Sequence, residues 1–182
     1  MKTTRYIFLV MMAIVCMTFA ACGGDDAGDG VTPPADNPNG GKSQWTLYEP
    51  FLIMNSTSEE VKAFMAEKLP QFKMEEPLGS TYNYSLVYNN QQEEVGIVYF
   101  IMSNKLASTG MEYLHFSQEK FDYLWGELEK RYSPEVIQEG TNQKICSAII
   151  NGQKYRVTIS VQYNGVVNDN SIAISFGRMP ND

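Results

Sequence analysis

The chain is poor in the residues that most catalytic and metal sites require. It contains one histidine, His115, and three cysteines among 182 residues. The spacings HExxH, CxxC and GxSxG and the glycine-rich phosphate-binding loop do not occur in it. Because catalytic triads and most zinc sites combine histidine with a nucleophile or with further ligands, the sequence disfavours these enzyme classes. We expect neither a metal ion nor another cofactor.

Positive charge is also scarce. The chain has 14 basic and 21 acidic residues and a net charge of −7. Removal of residues 1–21 would take away Lys2 and Arg5, leaving 12 basic residues against the same 21 acidic ones and a net charge of −9. An electrostatic field of this sign repels phosphate backbones. We therefore expect no nucleic-acid partner.

The longest hydrophobic run is too short to span a bilayer. Residues 6–21 form 16 mostly apolar residues behind Lys2 and Arg5, whereas a membrane-spanning helix needs about 20. Small residues end the run, and no cluster of positive charge follows it. This layout is typical of a secretory signal peptide, which we predict over residues 1–21.

The run ends in the sequence FAAC, residues 19–22, which resembles the lipobox of bacterial lipoproteins. In that family a signal peptidase cuts before the cysteine, which carries fatty acyl chains such as palmitate. The resemblance implies that Cys22 is lipidated, although Phe19 stands where the motif usually has leucine. Cys16 fits less well, because the branched Val15 precedes it. The alternative is an ordinary signal peptide cut near an incidental cysteine.

Residues 23–43 consist almost entirely of glycine, proline, aspartate, asparagine and alanine. This composition is typical of a flexible linker, so residues 22–43 are predicted to be a lipidated cysteine followed by an acidic tether. Asp25 and Asp26 resemble the export signal of surface lipoproteins in the Bacteroidota. The resemblance implies a lipid-anchored protein of the outer membrane, displayed at the cell surface. A periplasm-facing anchor is the alternative.

Residues 44–182 have the length of one globular domain, and two of its segments are predicted to be helices. Thr57 and Glu60 form a capping box before the first helix, and Ser117 is the N-cap of the second. Apolar residues recur along one side of each helix, at Val61, Phe64 and Met65 in the first and at Phe121, Leu124, Trp125, Leu128 and Tyr132 in the second.

Three strands are predicted after each helix, at residues 86–88, 96–102 and 111–116 and again at residues 145–150, 155–163 and 171–177. Asn89-Asn90 is predicted as the turn of the first hairpin, and Asn151-Gly152 fits a type I′ turn in the second. The helix caps Thr57 and Ser117 lie sixty residues apart, and so do Phe116 and Phe176 of the third strands. We predict an α+β fold of duplicated αβββ units, with two helices packed on one face of a largely antiparallel sheet.

His115 and Cys146 carry reactive side chains, and both are interpreted as structural residues. His115 is predicted on the strand 111–116, with its hydrogen bonds satisfied there. The Asn151-Gly152 turn pairs Cys146 with Val157 on an apolar strand face, so its thiol is predicted to be buried and unreactive. With Cys22 acylated, no disulfide would remain possible in the mature chain.

A strip of aromatic residues and three pairs of adjacent carboxylates are interpreted as structural. A strip at Tyr82, Tyr84, Leu86 and Tyr88 is interpreted as core rather than as an open surface for sugars or proteins. The adjacent carboxylates occur at Glu59-Glu60, Glu75-Glu76 and Glu93-Glu94. Neighbours in sequence cannot face each other across a glycosidase cleft, so we interpret them as capping and solubilising charges.

The whole chain resembles the small lipoproteins that the Bacteroidota encode in large numbers. Its αβββ order is similar to that of the β-lactamase inhibitor proteins, whose tandem units grip an enzyme, although this likeness carries over no contact residue. We expect a membrane-anchored, non-enzymatic binding module for a protein or a glycan, using a sheet face or the loop 164–171. The alternative is a hydrolase that uses scattered carboxylates and His115.

Overall fold

A computed structural model describes residues 45–164 and 169–179. The predicted signal peptide, Cys22 and the tether lie outside the described residues, as does most of the loop 164–171. The described part of the chain is α+β, with nine strands in one sheet and two helices. Neither of these two helices has the length and apolar character needed to cross a membrane.

Both predicted helices are confirmed, and they are α1 (Ser58–Lys68) and α2 (Gln118–Tyr132). Thr57 caps α1: its side chain accepts from the backbone N–H of Glu60, whose carboxylate accepts from the backbone N–H of Thr57 at 2.7 Å. The Ser117 hydroxyl accepts from the backbone N–H of Lys120 at 3.1 Å and caps α2. These bonds satisfy amide groups that the first helical turn leaves unpaired.

The sheet is antiparallel at every pairing that the structure describes, in the order β1-β3-β4-β5-β9-β8-β7-β6, with β2 also paired to β3. Its strands are β1 (Lys73–Met74), β2 (Leu78–Gly79), β3 (Asn83–Asn90), β4 (Val95–Met102), β5 (Lys105–Tyr113), β6 (Glu135–Gly140), β7 (Gln143–Ile150), β8 (Gln153–Asn164) and β9 (Asp169–Arg178). The pair β5 and β9 therefore lies at the middle of the sheet.

The predicted β7–β8 hairpin is confirmed. Asn151 and Gly152 both have positive φ, 52° and 75°, as a type I′ turn requires. Ile150 pairs with Gln153, and Cys146 pairs with Val157 four residues further along the ladder. The turn residues therefore determine which side chains of both strands point into the core.

Several predicted strand bounds are wrong. Asn89 and Asn90 belong to β3 and pair with Gly96 and Val95, so the first hairpin turns at residues 91–94 instead. β5 ends at Tyr113, and the prediction of a strand through residue 116 fails. The reason lies at His115, whose φ of 57° is left-handed and cannot continue a strand. The strands β1, β2 and β6 were not predicted.

The larger of two hydrophobic clusters in the described part of the chain, here the core cluster, contains residues of both helices and of most strands. Among its members are Val61 and Met65 of α1 and Phe121 and Leu124 of α2. The chain before α1 also contributes Leu47, Tyr48, Leu52 and Met54. This leading segment is fixed by hydrogen bonds, one of them from the Phe51 N–H to the Tyr99 hydroxyl at 3.0 Å. Neither a strand pattern nor a helix pattern was predicted for this segment.

Two rows of side chains cross the middle of the sheet, one residue apart on each strand. Residues opposite each other in a ladder share a face. The first row, here the core row, joins Tyr88, Ile97, Met111, Ile174 and Ile159, all members of the core cluster. The second, here the polar row, joins Asn89, Gly96, Glu112, Ala173 and Ser160. Because successive strand residues alternate, the polar row lies on the other face, here the polar face.

Candidate functional site

Glu112 lies at the centre of the polar row. β5 places it between two residues with almost no side chain, opposite Gly96 of β4 on one side and Ala173 of β9 on the other. Its side chain is 1% exposed. A buried carboxylate in the middle of a sheet is costly unless its oxygens are hydrogen-bonded, so its contacts decide how it is tolerated.

The two oxygens of Glu112 differ. Oε1 accepts a hydrogen bond from the Ser171 hydroxyl at 2.6 Å. Oε2 is buried and has no hydrogen-bond partner among the described residues. Burial raises the pKa of Glu112 to about 7, and the hydrogen bond from Ser171 opposes that rise. The carboxyl group therefore changes charge near neutral pH while one of its oxygens lacks a donor.

Asn89, at the β3 end of the polar row, shows the same feature. It is 5% exposed. Its Nδ2 donates to Glu75 Oε1 at 3.1 Å, whereas its Oδ1 is buried without a donor in the described part of the chain. Gly96 separates Asn89 from Glu112 in the row. Two acceptors without donors therefore flank a residue that has no side chain.

The polar face continues from this row in both directions along the strands. Small polar side chains follow on β8 and β9, where Thr158 pairs with Ser175 and Gln162 pairs with Ser171. Gln162 donates to the Ser160 hydroxyl at 2.7 Å. Towards the β3 edge the face turns apolar, with Val87, Val98, Phe100, Met102 and Leu78. The polar face therefore has a polar centre and an apolar margin at the β3 edge.

His115 lies at one end of the polar face, in a cluster that sequence reasoning did not predict. Its Nδ1 is 2.8 Å from Asp169 Oδ2 and its Nε2 is 3.3 Å from Glu94 Oε1. The turn at residues 91–94 presents Glu94, and the start of β9 presents Asp169. The Lys120 ammonium donates to the carbonyl oxygens of Leu114 and His115 at 2.7 and 2.8 Å. The left-handed backbone at His115 brings these groups together.

This cluster is a half-exposed set of ion pairs. The side chains of His115, Glu94 and Asp169 are 58%, 50% and 42% exposed. Both ring nitrogens of His115 already face carboxylates, so neither is directed at a nucleophile. In the regions 45–164 and 169–179, no group of three or more histidine, cysteine, aspartate or glutamate side chains is arranged to hold a metal ion.

Cys146 is buried, as predicted. Its side chain is 1% exposed and belongs to the core cluster, and its Sγ lies 3.4 Å from the Val157 carbonyl oxygen. Burial, with a smaller contribution from Glu129, raises the pKa of the Cys146 thiol to about 11. A thiol in this state is a poor nucleophile.

The tyrosine strip is core for three of its four members. Leu86 and Tyr88 belong to the core cluster and Tyr84 packs against it. Tyr82 is 68% exposed and lies before β3, so the prediction is wrong for that residue. The rings of this strip therefore do not form an open stacking surface for sugars.

The adjacent carboxylates contact different parts of the fold. Glu59 and Glu60 lie in the first turn of α1, as interpreted from the sequence. Glu75 accepts from Asn89, and Glu93 Oε1 accepts from the Tyr48 hydroxyl at 2.5 Å. Glu94 faces His115. The polar-row carboxylate Glu112 was not singled out in the sequence, because its surroundings depend on pairing between β5 and β9.

Comparison of the chain with protein-family models, with curated proteins and with solved structures found no match in any of the three.

Proposed function

We propose that this protein is an envelope lipoprotein, anchored through Cys22, whose folded domain is a non-enzymatic binding module that grips a partner protein with its polar face. The observation that carries the proposal is the polar row. Glu112, at the centre of the row, and Asn89, at its β3 end, keep buried acceptor oxygens that have no donor among residues 45–164 and 169–179, and a buried acceptor without a donor costs free energy. A partner that supplies donors recovers this free energy on binding.

A duplicated domain would explain how such a face arises, and we propose two αβββ units related by a pseudo-twofold axis between β5 and β9. The strand order reads the same outwards from this pair. Leu78 pairs with Ser85, and the residues sixty positions later, Gln138 and Ile145, also pair. In this arrangement the two helices pack on the core side of the sheet, opposite the polar face.

A protein partner fits this face better than a glycan. Sugar rings are commonly held by stacking on aromatic side chains, and the tyrosines of β3 and β4 are directed to the core, as Tyr88 and Tyr99 show. The face offers small hydroxyl and amide groups next to the apolar side chains of Phe100 and Met102. Main-chain and long side-chain groups of a protein can reach between such residues.

Blocking the face tests the proposal. The full chain, purified in detergent with its anchor, is used to capture interacting envelope proteins, and Gln162→Trp is compared with Glu119→Trp. Gln162 is half-buried beside Ser171 on the polar face, whereas Glu119 is exposed in the first turn of α2. We expect Gln162→Trp to reduce capture about tenfold or more and Glu119→Trp to leave it unchanged. Equal capture by both variants would exclude the polar face.

The anchor has its own test. Mass spectrometry of the N-terminal peptide should find a chain that begins at Cys22 and carries fatty acyl groups. Protease treatment of intact cells then distinguishes display at the surface, where the domain is degraded, from a periplasm-facing anchor, where it survives. An unmodified N-terminus at another residue would contradict the lipoprotein assignment while leaving the binding test valid.

A hydrolase remains the second candidate, because the structure places His115 between two carboxylates. Exchange of His115 for asparagine would abolish hydrolysis by this group and leave partner capture intact. If this substitution abolishes both a hydrolytic activity and partner capture, the hydrolase is favoured instead.

A further inference from the structure

The polar face carries opposite charges at its two ends. Glu94 and Asp169 lie at the end where β4 and β9 begin. Lys105, Lys154 and Arg156 lie at the opposite end, here the basic end, near the starts of β5 and β8. The register of these two strands places all three cations on the polar face. A positive region therefore lies on one face of a chain whose net charge is −7.

The basic end is accessible, unlike the centre of the polar row. Arg156 is half-buried and Lys105 is exposed. In the ladders Arg156 lies between Gly177 of β9 and Ser147 of β7, so no long side chain stands directly beside it. At Gly177 an added Cβ would meet nothing within 4 Å. The Arg156 side chain is therefore partly open to solvent and has free space on its β9 side.

Arg156 makes no ion pair with a residue in the ranges 45–164 and 169–179. The carboxylate in the same row belongs to Glu135 of β6, and Ser147 lies between the two. Adjacent strands are about 4.7–4.9 Å apart, so the Cα atoms of Arg156 and Glu135 are separated by about 10 Å. A guanidinium group presents a planar fork of N–H donors that matches a carboxylate. Arg156 therefore offers this fork to an acidic ligand.

Exposed apolar side chains border the basic end on both sides. Ile149, opposite Lys154 on β7, is 64% exposed, and Met102, opposite Lys105 on β4, is 57% exposed. Protein interfaces are enriched in arginine and methionine. A lone phosphate group would use the cations and leave these apolar side chains uncovered. A protein segment that combines acidic and apolar residues would contact both kinds of group.

We propose that the basic end of the polar face binds an acidic segment of the partner protein, with a carboxylate of that segment held by the Arg156 guanidinium. Charge complementarity assigns the chemistry of the segment, since Lys105 and Lys154 add positive charge around Arg156. Apolar residues of the same segment would cover Ile149 and Met102. This inference rests on the proposed function, because it takes the partner to be a protein that binds the polar face.

The test uses short peptides and needs no identified partner. The full chain in a neutral detergent is labelled with ¹⁵N at arginine, and its Nε–H signals are followed by NMR. The probes are acetyl-tetraglutamate amide and the neutral acetyl-tetraglutamine amide. The chain has four arginines, and Arg156→Lys identifies the signal of Arg156 by its loss. We expect tetraglutamate to shift this signal in a saturable manner and tetraglutamine to leave it unchanged.

The same spectrum contains an internal control. The Arg131 guanidinium donates to the Leu47 carbonyl oxygen at 3.0 Å, so its signal should not respond to either peptide. Salt of about 1 M shortens the Debye length to about 3 Å and should weaken the binding of tetraglutamate.

Matched variants locate the contact. Gly177→Glu puts a carboxylate directly opposite Arg156, so it should weaken tetraglutamate binding about fivefold or more. Gly177→Gln fills the same space without charge and should weaken it by less than about twofold. Arg156→Gln should weaken binding about fivefold or more. Arg178→Gln removes the same charge opposite Tyr155, a core-cluster residue, and should change binding by less than about twofold.

Thermal unfolding shows which variants are folded, and the unsubstituted chain alone decides if a variant fails to fold. Equal shifts with both peptides, or an Arg156 signal that does not move, overturn the inference. Equal losses in Arg156→Gln and Arg178→Gln overturn it too, because net charge alone would then explain the binding. Tighter binding of inorganic phosphate than of tetraglutamate would assign the basic end to a phosphate group instead.

The outcome is separable from the proposed function. If tetraglutamate does not bind while Gln162→Trp still reduces capture, the face binds its partner without an acidic segment, and this inference fails alone. If tetraglutamate binds at Arg156 while Gln162→Trp leaves capture unchanged, the site for an acidic segment stands and the proposed use of the whole face is wrong.

Discussion

The core row and the polar row occupy neighbouring positions on the same five strands, yet their chemistry is opposite. In the core row every member is a large apolar or aromatic residue, and Ile97, Met111 and Ile159 are fully buried. The polar row is also shielded at Asn89, Glu112 and Ala173, but its residues are small or polar. Burial alone therefore does not distinguish the two faces of this sheet, whereas side-chain size and hydrogen bonding do.

The difference indicates what each face contributes. Large apolar side chains on the core row stabilise the fold through the area that they remove from water. The polar row contributes little of this kind and keeps a carboxylate that burial makes harder to ionise. A residue set that lowers stability is retained more readily where it serves binding, which agrees with the function proposed for the polar face.

The largest expected effect separates the two faces by stability. Phe176, 1% exposed, packs edge-on against Tyr132 with ring centres 6.1 Å apart. Phe176→Ala should lower the free energy of unfolding by about 3–5 kcal/mol. Ser175→Ala, at the preceding residue and on the polar face, should change it by less than about 1 kcal/mol. Chemical denaturation measures both, and similar losses would contradict the contrast between the faces.

The second prediction concerns the pH dependence of stability. Glu112 has a folded-state pKa of about 7 against an ordinary value of 4.5. Below both values the group is protonated in the folded and unfolded states and has no effect. As pH rises between them, only the unfolded state loses the proton, so stability falls, and above pH 7 the loss is constant at about 3 kcal/mol.

Glu112→Gln removes this dependence while keeping the shape of the side chain. The variant and the unsubstituted protein should have similar stability near pH 4, and the variant should be more stable by about 3 kcal/mol at pH 8. Chemical denaturation across this pH range provides the measurement. A constant difference between the two proteins at every pH would mean that Glu112 does not titrate in this window.

The third prediction tests the β7–β8 turn, which determines the side chains that each face of the sheet receives from these strands. Gly152 has a φ of 75°, so Gly152→Ala should cost about 1–2 kcal/mol through left-handed backbone strain. Gly126→Ala, within α2, should instead stabilise by about 0.5–1 kcal/mol. At both positions an added Cβ meets nothing within 4 Å, so conformation alone sets the sign. Thermal unfolding should show opposite shifts, and shifts of the same sign would refute this explanation.

Local signals made part of this fold predictable. The capping residues Thr57 and Ser117 fixed the starts of both helices, because a cap bond joins residues three apart in sequence. Asn151-Gly152 likewise fixed the β7–β8 register and hence the burial of Cys146. In each case the residues that determine the structure are close together in the chain.

The candidate site was not predictable in the same way. The surroundings of Glu112 come from β4 and β9, and Ser171, its hydrogen-bond donor, is 59 residues away. No periodic pattern in the sequence predicts the pairing of β5 with β4 and β9. The cluster at His115 depends on a left-handed residue that is not glycine, which sequence patterns rarely reveal. The strands β1 and β2 have two residues each, too few for a period to be recognised.

The smallest expected effect lies at the exposed end of the polar face. His115→Asn removes both ion pairs, but the partners Glu94 and Asp169 are about half exposed, and pairs of this kind contribute about 0.2–1 kcal/mol. Asparagine also tolerates the φ of 57° better than most residues, so the backbone should be kept. We expect a loss of under about 1 kcal/mol in chemical denaturation. A larger loss would mean that the contacts of His115 with Glu94 and Asp169 help to hold the polar row in place, and that they are more than surface pairs.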